Sequence, residues 1–350
     1  MSSFAPGFLE RHPVSPALVQ TVRRLGEHKG REALYREQSP QVLAHMRQAA
    51  LIQSTEASNR LEGIVAPADR IRLLVQERVE PMNRSEQEIA GYRDVLQTIH
   101  ANHPNVPFTT GIVLQFHRDL FQFAGGQGGR WKQGNNAITE HRADGSIVTR
   151  FEPVPAYATP GAMEQLHARF EDAWVAGRVE PLLLVGAYVL DFLCIHPFTD
   201  GNGRMGRLLT LLLLYRAGYE VGRYISLEQM VDVQRDGYYA TLLQSSQGWH
   251  DDRQDLRPWW EYLLGVVLTG AYAEFERRVG VITEGRGAKR EMVIDVIDRL
   301  PTEFRISEVL RACPGVSRPT VNRVLAELKE AGRIRPLKPG RQAAWQKSQG

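Results

Sequence analysis

Apolar residues recur every three to four positions along most of this 350-residue chain, which is the period of an amphipathic α-helix. Several of these stretches end in glycine, which stops a helix, and one opens on a Ser-x-x-Glu capping box at Ser85 and Glu88. The pattern therefore predicts a mainly α fold. The predicted helices cover residues 39–63, 85–102, 109–122, 162–177, 181–195, 207–218 and 258–280.

One central segment departs from the helical pattern. Residues 125–160 are rich in glycine at first, then form two short β-like pieces around Asp144-Gly145, and then become rich in proline. Asp-Gly between two such pieces is typical of a β-hairpin. We therefore expect a hairpin at about residues 136–151.

The last part of the chain has a different organisation. A short linker at residues 283–290 is followed by three helical stretches and a basic end that prolines interrupt. Three helices followed by a β wing describe a winged helix-turn-helix. We therefore expect three parts: an N-terminal helical region over residues 1–110, a core over residues 111–285 and a winged helix-turn-helix domain over residues 286–350.

The composition, 43% hydrophobic and 24% charged, is ordinary for a globular protein, so the chain can build a core without disulfides. Its two cysteines, Cys194 and Cys313, lie far apart in the sequence and lack the spacing of zinc ligands, which argues against a zinc site built on thiolates. So few cysteines are typical of a protein from a reducing compartment. The N-terminus shows no signal-peptide pattern, and the longest apolar run, residues 182–195, is shorter than the roughly 20 residues of a membrane span. We expect a cytoplasmic protein with no membrane partner.

Charge is distributed unevenly. The net charge is +3, but residues 286–350 hold 14 Lys and Arg against 7 Asp and Glu. Such a surplus is one sign of nucleic-acid binding, and the candidate DNA contacts at the start of the predicted recognition helix are Arg318, Asn322 and Arg323. The alternative is a module for docking or dimerisation, since winged helices also serve that role and the surplus is modest.

The densest cluster of chemical groups is HPFTDGNGRMGR, residues 196–207. Its glycines also match G-x-G-x-x-G, the fingerprint of a dinucleotide-binding turn. That fold requires a short strand before the glycines, whereas residues 182–195 are long and rich in leucine. It would also leave His196 and Asp200 without a role. We therefore reject this interpretation.

A phosphate site accounts for the polar residues of this cluster. Gly201 and Gly203 can adopt a positive φ that turns successive backbone N–H groups inward to hold an anion. The helix that starts there adds the positive end of its dipole. Arg204 and Arg207 lie three residues apart, so both should project towards the same point and hold two successive phosphates.

The other side chains of the cluster indicate chemistry at those phosphates. Asp200 cannot favour an anion alone, so we expect it to hold a Mg²⁺ ion that bridges phosphate oxygens. Asn202 offers an amide N–H to a phosphoryl oxygen. An imidazole titrates near neutral pH, so His196 can take a proton from a hydroxyl group. Together these groups predict a site for attack on a nucleotide phosphate.

The same twelve residues match the signature H-P-F-x-[D/E]-G-N-G-R-x-x-R without a departure, so the chain resembles the Fic (filamentation induced by cAMP) family. The resemblance covers about residues 41–247 and implies a helical core with a β-hairpin flap. It implies a nucleotidyltransferase that uses ATP and Mg²⁺ to place AMP on a Ser, Thr or Tyr hydroxyl of a protein, releasing pyrophosphate. It assigns the general base to His196, the Mg²⁺ ligand to Asp200 and the α-phosphate cradle to residues 201–203. The two arginines of the signature would hold the distal phosphates.

A second resemblance lies upstream. Ser58, Glu62 and Gly63 in SNRLEG match the inhibitory motif [S/T]-x-x-x-E-[G/N], which many Fic proteins carry on a helix, here at about residues 41–63. The motif implies that the Glu62 carboxylate pairs with Arg207 and prevents ATP from binding in line for attack. The alternative is an ordinary surface glutamate at the end of a helix.

The resemblance also assigns residues to the target protein and to the adenine. An extended target segment would pair with the flap, although this flap is longer than the usual form. The flap positions for docking are Asn136, Ala137, Ile138 and Thr139. Tyr238 and Tyr239 would lie beside the adenine, unless they are core residues. Ser246 stands where relatives often have an asparagine that reaches the adenine.

Three functions remain open on the sequence alone. The first is an adenylyltransferase that Glu62 inhibits, and the second is a hydrolase that uses Glu62 to remove AMP from a modified protein. The third is a DNA-binding regulator with a nucleotide-sensing core. The target protein is not determined, although we expect the chain to modify itself, and a homodimer is compatible with the sequence.

Overall fold

The computed structural model describes residues 3–38, 40–125, 128–141, 145–284, 288–312, 316–338 and 344–348. The predicted turn residue Asp144 and the second cysteine, Cys313, lie outside these ranges. The chain divides into two compact units, and the predicted boundaries at residues 110 and 285 stay predictions. The units are Met1–Lys29 with His45–Ala273, and Gly30–Ala44 with Glu274–Gly350.

Helices dominate the chain up to residue 284, as the sequence predicts. They are α1 (Phe8–Arg11), α2 (Pro16–Gln38), α3 (Pro40–Leu61), α4 (Ala68–Gln76), α5 (Arg84–Asn102), α6 (Thr110–Leu120), α7 (Thr159–Ala176), α8 (Pro181–Ile195), α9 (Asn202–Arg216), α10 (Leu227–Val233), α11 (Arg235–Ser246), α12 (Arg257–Trp260) and α13 (Thr269–Glu284). A π-helical stretch, Glu261–Leu268, joins α12 to α13. None of the helices in the described ranges is long and apolar enough to cross a membrane.

The start of α5 lies just before the predicted capping box. Asn83 caps this helix by accepting the backbone N–H of Glu86, whose carboxylate in turn accepts the N–H of Met82. The prediction that Ser85 and Glu88 form the cap was wrong, because an asparagine caps as well as a serine and this one comes first. Glu88 therefore lies further along the helix, where it is buried.

Helices α8 and α9 form the centre of the first unit. The side chains of α8 are buried from Leu182 to Ile195, which explains its almost unbroken apolar sequence. Gly186 allows Trp260 to lie directly on this helix, since a Cβ at Gly186 would be 2.6 Å from the indole ring. Because α9 packs along α8, the loop that joins them is held at both ends by buried helices.

The predicted hairpin lies between α6 and α7. Its strands are β1 (Ile138–His141) and β2 (Ile147–Phe151), which pair antiparallel with Thr139 opposite Thr149. The two strands form a sheet of their own within the described residues, so the outer edge of β1 is open for a further strand.

The second unit contains a small sheet packed on three helices. Its elements are α14 (Ala288–Arg299), β3 (Glu303–Arg305), α15 (Ile306–Ala312), α16 (Arg318–Glu330), β4 (Ile334–Lys338) and β5 (Ala344–Lys347). The antiparallel strands lie in the order β3-β5-β4, and this succession of elements is typical of a winged helix. The sequence did not predict β3, since three residues carry little pattern and the strand forms by pairing Phe304 with the distant Trp345.

Candidate active site

The candidate site is built on the loop between α8 and α9. His196 ends α8 in the left-handed conformation, with φ 49° and ψ 61°, and its backbone N–H donates to the carbonyl of Phe192 at 2.9 Å. Gly201 precedes α9 with φ 81°, which a glycine adopts without strain. These two turns bring the imidazole at the end of one helix close to the N-terminus of the next.

The His196 imidazole is arranged as a base. Its Nδ1 lies 3.2 Å from the carbonyl of Leu193 and must donate to it, because a carbonyl only accepts, so Nε2 keeps its lone pair. Burial, with a smaller contribution from the nearby charge of Lys132, lowers the pKa of His196 to about 4. The ring is therefore neutral at physiological pH and can accept a proton.

The first turn of α9 offers an anion site. The backbone N–H groups at the start of a helix have no partner inside it, and the helix dipole makes this end positive. A Cβ on Gly203 would lie 2.2 Å from Oε1 of Glu62, so a carboxylate already occupies the space above this turn. A negative group thus sits where the sequence predicts a phosphate.

Asn202 closes the loop between α8 and α9. Its Oδ1 accepts the N–H of Phe198 at 2.9 Å, and its Nδ2 donates to the carbonyl of Phe198 at 2.7 Å. The side chain is buried, and both of its polar ends are used to close the loop. The buried backbone of the loop needs these hydrogen bonds, and the contact of the amide with a phosphoryl oxygen stays a prediction.

Arg204 and Arg207 have different partners in the described structure, and their joint binding of two successive phosphates stays a prediction. The Arg204 guanidinium is fully buried, 2.8 Å from Oε2 of Glu88 and 5.1 Å from the centre of the Phe121 ring. Arg207 turns instead towards α3. Residues three apart on a helix differ by about 60° in direction, and each of these arginines meets a carboxylate from a different helix.

Arg207 joins α9 to the predicted inhibitory helix α3. Its Nη2 lies 2.8 Å from Oε1 of Glu62, while its Nε and Nη2 donate to the hydroxyl and carbonyl of Ser58, both at 2.8 Å. Burial acts to raise the pKa of Glu62, but the charge of Arg207 prevails and holds this pKa below its usual value. Gly63 follows with φ 76°, which ends the helix directly after the carboxylate. The predicted contact between Glu62 and Arg207 is therefore present.

A cavity of about 880 Å³ joins these groups. His196, Gly203, Arg207 and Glu62 line one part of it, and side chains of α8, α11 and the hairpin line the rest. Its volume is that of a pocket for a small-molecule ligand. The lining from α8, α11 and the hairpin includes Ile138, Thr139, Phe151, Leu190, Cys194, Tyr238, Tyr239, Leu243 and Ser246.

The two predicted adenine tyrosines differ in environment. Tyr238 is buried, with its ring 5.8 Å from Trp259, which agrees with the core alternative. Tyr239 is 44% exposed, and its hydroxyl lies 3.4 Å from the carbonyl of Leu61. Ser246 donates its hydroxyl hydrogen to Leu243 at 3.0 Å, so it can offer a ligand only an acceptor.

The flap is anchored to the loop by Lys132, which the sequence did not indicate. The Lys132 ammonium donates to Oδ1 of Asn136 at 2.8 Å and to the carbonyl of Ile195 at 3.1 Å. Asn136 in turn donates to the carbonyl of Phe198 at 3.1 Å. The Asn136 side chain therefore holds the foot of the flap, whereas Ala137 and Thr139 are exposed, and docking of a target at these positions stays a prediction.

A second residue that sequence reasoning missed is His117 on α6. Its ring stacks on Phe198 with centres 3.6 Å apart, its Nδ1 accepts the N–H of Gly129, and its Nε2 donates to the carbonyl of Asp200 at 3.0 Å. Burial lowers its pKa to about 4, so it is a neutral support for the loop. In the sequence, only its position on the buried face of α6 marks His117, and this does not distinguish it from any other core residue.

The surroundings of Asp200 fit a Mg²⁺ ion that binds together with substrate phosphates. Within the described ranges no three His, Cys, Asp or Glu side chains come close enough to hold a metal alone. Asp200 stands beside the first turn of α9 with a carboxylate that is 63% exposed, and its Oδ1 accepts the N–H of Gly201 at 2.6 Å. Mg²⁺ commonly takes one or two protein carboxylates together with substrate phosphates, so a single accessible carboxylate suffices.

Comparison with known proteins identifies the domain. The sequence model described as the Fic/DOC family matches residues 107–214, from before α6 to the end of α9. Among curated relatives, "Protein adenylyltransferase Fic" of Nematostella vectensis is 24% identical over 221 residues, covering 60% of this chain and 45% of the relative. The protein of the same name from Drosophila willistoni is 26% identical over 259 residues, covering 70% and 47%. The chain thus spans about half the length of these relatives.

Solved structures share the fold. A Fic family protein from Desulfovibrio desulfuricans G20 superposes with a TM-score of 0.63 at 22% identity, covering 97% of this chain and 98% of that one. Fic-1 (residues 134–508) from C. elegans gives a TM-score of 0.60 at 19% identity, covering 77% and 74%. The mainly helical fold with a hairpin beside the signature loop is confirmed by these matches. Residues 107–214 of this chain thus match the Fic/DOC family model, and the chain shares the fold of Fic-family structures.

Proposed function

We propose that this protein is an adenylyltransferase that moves AMP from ATP to a hydroxyl side chain of a protein. The observation that carries the proposal is the neutral His196 base in one cavity with the N-terminus of α9 and Arg207. A base beside an anion site is what attack on a phosphate requires. The names of the curated relatives support the same activity.

The reaction follows from these positions. Nε2 of His196 takes the proton of the target hydroxyl as its oxygen attacks the α-phosphorus of ATP. The bond from the α-phosphorus to the bridging oxygen breaks, and pyrophosphate leaves with the electron pair. Backbone N–H groups at Gly201 to Gly203 and the dipole of α9 stabilise the charge on the α-phosphate. A Mg²⁺ ion held by Asp200 would neutralise charge on the phosphates.

We propose that Glu62 inhibits this activity in the described conformation. Arg207, our candidate for a distal phosphate, is engaged by Glu62 and Ser58, and the Glu62 carboxylate fills the space above Gly203. A triphosphate and this carboxylate repel each other and compete for the same guanidinium. ATP can therefore reach a productive position only after Glu62 withdraws.

The end of α3 is held in place by polar contacts. The carbonyl of Leu61 accepts from Arg235 at 3.0 Å, and Arg60 pairs with Asp232 on α10 at 2.6 Å. The buried face of this part of α3 is polar: Ser54, Thr55, Ser58 and Asn59 are fully buried. The hydroxyls of Ser54 and Thr55 and Oδ1 of Asn59 have no hydrogen-bond partner within the described residues, and each such group costs about 1–3 kcal/mol. The helix end is thus held by polar contacts at its surface, while its buried face includes polar groups without partners.

Incorporation of AMP from labelled ATP tests the proposal. We expect the Glu62→Gly protein to label itself with Mg²⁺ present and the Glu62→Gly, His196→Ala protein not to do so. Glu77→Gly is the matched control, since Glu77 is an exposed residue that follows α4 as Glu62 follows α3. If the Glu62→Gly protein incorporates no AMP, alone or with cell extract, the proposed activity is wrong.

A second candidate function is removal of AMP from a modified protein. The ionised Glu62 carboxylate lies in the same cavity as His196 and could orient a water molecule for attack. A target carrying AMP distinguishes the two directions. Release of free AMP by the wild type, and none by Glu62→Gly, would favour the hydrolase.

We also propose a cytoplasmic location and self-modification. The described cysteine, Cys194, is a free and buried thiol, as expected in a reducing compartment. Self-modification is tested by the labelling assay above, followed by mass spectrometry of the labelled peptide. A homodimer, if present, is measurable by light scattering.

A further inference from the structure

The first unit contains a second cavity of about 880 Å³, which shares no lining residue with the cavity of His196. One face of α5, the N-terminal half of α3 and the end of α6 form most of its wall. Its volume is that of a pocket for a small-molecule ligand, and none of the groups that we assign to AMP transfer lines it. The lining includes Arg47, Arg78, Asp94, Gln97, His100 and Arg223.

Two arginines from distant parts of the chain meet at one end of this cavity. Arg47 of α3 donates from Nη2 to the hydroxyl of Tyr224 at 3.2 Å, and Arg223 is the residue before that tyrosine. Burial lowers the pKa of His100 to about 3, with smaller contributions from nearby cations that include Arg223 and Arg47. The two guanidinium groups therefore lie close to the same neutral imidazole and form a cationic end of the cavity.

The arginines of this cavity make few contacts with carboxylates among the described residues. The contacts of Arg47 are with a tyrosine hydroxyl and its ring, both uncharged. Arg78 donates to the neutral amide oxygen of Gln97. Arg223 donates from Nη1 to Glu220 at 2.5 Å, whereas its Nε is buried without a hydrogen-bond partner in the described part of the chain. Each guanidinium carries five N–H donors, so an anion can accept those that the protein does not use.

Arg78 occupies a backbone position that favours glycine. Helix α4 ends at Gln76, and Arg78 follows with φ 52°, in the left-handed conformation that commonly closes a helix. A Cβ makes this conformation unfavourable, so glycine is the usual residue there. Residues held in such conformations cluster at active sites and ligand sites. Here the strained position brings an exposed arginine side chain to the cavity, where it contacts Gln97.

The opposite end of the cavity offers hydrogen-bond acceptors. Asp94 lies six residues before His100 on α5, about 9 Å along the helix. Its Oδ1 accepts from Arg93 at 2.8 Å and its Oδ2 from the side-chain amide of Gln122 at 3.0 Å. Asp119, three residues before Gln122, adds a second carboxylate to the lining. A carboxylate has about four acceptor sites, so this end can accept further hydrogen bonds from hydroxyl groups of a ligand.

We propose that this cavity binds a small sugar phosphate, which carries an anion and hydroxyl donors in one molecule. The phosphate dianion lies at the cationic end, where arginines hold it through charge-assisted, bidentate hydrogen bonds. The hydroxyl groups of the sugar extend along α5 to Gln97 and Asp94. This site is separate from AMP transfer, since it shares no residue with the cavity of His196.

Calorimetry with the full chain tests the proposal. The probes are ribose 5-phosphate, inorganic phosphate and ribose, each titrated up to about 10 mM. We expect ribose 5-phosphate to bind with a Kd of about 1 mM or tighter, inorganic phosphate to bind more weakly, and ribose not to bind measurably. Arg47→Ala with Arg223→Ala should weaken ribose 5-phosphate binding at least about tenfold, because both groups at the cationic end are lost. The matched control is Arg72→Ala, since Arg72 is an exposed arginine of α4 that contacts a glutamine amide and does not line the cavity; its Kd should not change.

Arg78→Gly separates ligand binding from folding. Glycine adopts the left-handed conformation without strain, so this variant should melt at or above the wild-type temperature while its binding of ribose 5-phosphate weakens several-fold. A residue with a merely structural role would not lose binding without losing stability. Ribose 5-phosphate should also raise the melting temperature of the wild type, but not that of the variant without Arg47 and Arg223.

Several results would overturn the proposal. They are no binding of either phosphate probe, equal binding of ribose and ribose 5-phosphate, and an equal loss of binding in Arg72→Ala. Binding of inorganic phosphate as tight as that of ribose 5-phosphate would show that the site does not recognise the sugar. Loss of ribose 5-phosphate binding in Arg207→Ala would place the ligand in the cavity of His196 instead. None of these results depends on whether the chain transfers AMP.

Discussion

Removal of the Glu62 carboxylate should strengthen ATP binding as well as release activity. In the described structure this carboxylate lies 2.8 Å from Nη2 of Arg207, whose side chain is only 6% exposed. A hydrogen bond between charged groups contributes about 1.5–3 kcal/mol, and the 30% exposure of Glu62 places this one in the lower half of that range. ATP no longer has to displace about 1.5–2 kcal/mol of interaction, so its Kd should fall about 10- to 30-fold.

The Glu62→Gly substitution should lower the free energy of unfolding only slightly. Glu62 follows the last residue of α3, so a glycine there avoids the cost of a glycine inside a helix. Arg207 keeps its two hydrogen bonds to Ser58 and is not left without partners. We therefore expect the Glu62→Gly protein to melt within a few degrees of the wild type.

Calorimetry with a non-hydrolysable ATP analogue and Mg²⁺ measures the effect. Wild type, Glu62→Gly and the matched control Glu77→Gly are titrated under the same conditions, and thermal shifts with and without the analogue provide a second reading. An unchanged Kd in Glu62→Gly would show that the carboxylate does not compete with phosphate. An equal gain in Glu77→Gly would show that the effect is not local to Arg207.

Three further results follow from the same site. In the Glu62→Gly protein, kcat/KM should stay constant from pH 8 down to about 5, because burial lowers the pKa of His196 to about 4 and its neutral form is the base. Loss of the Glu62 charge, which raises this pKa, places the fall at or below about pH 4, and an acid limb near 6.5 would contradict this. Lys132→Met removes a charge that lowers the pKa of His196, so the acid limb of the kcat/KM profile should move to higher pH. If the limb does not move, Lys132 acts only on the flap. Asp232→Asn removes the ion pair that joins Arg60 to α10, although Arg60 keeps its pair with Glu56 on α3, and should raise self-labelling of the otherwise wild-type chain several-fold. No increase would show that the pair with Asp232 does not hold α3.

The contiguous features of the site could be predicted because they depend on residues close in sequence. A base, a carboxylate and two glycines within twelve residues form one turn between two helices, whatever surrounds it. The hairpin followed in the same way from Asp-Gly between β-like pieces, and the helices from their apolar period. The contact of Glu62 with Arg207 was also predicted, but only by resemblance.

The contacts that the sequence did not predict lie where a buried side chain has more than one possible partner. Asn202 was expected to face phosphate, yet the buried backbone at Phe198 takes both ends of its amide. Arg204 was expected to accompany Arg207, yet Glu88 draws it into the interior. Both choices are settled by burial, since a polar group removed from water must find a partner where it lies.

What the amino-acid order determines here is therefore local: where helices begin, where the chain turns left-handed, and which chemical groups share one loop. The tertiary structure decides which of those groups reach the cavity. Glu62 and Glu88 approach α9 from two different helices, and Lys132 and His117 support the loop from outside it. These contacts join residues far apart in the chain, and they form only when the packing of whole helices sets their distances, which no short stretch of sequence encodes.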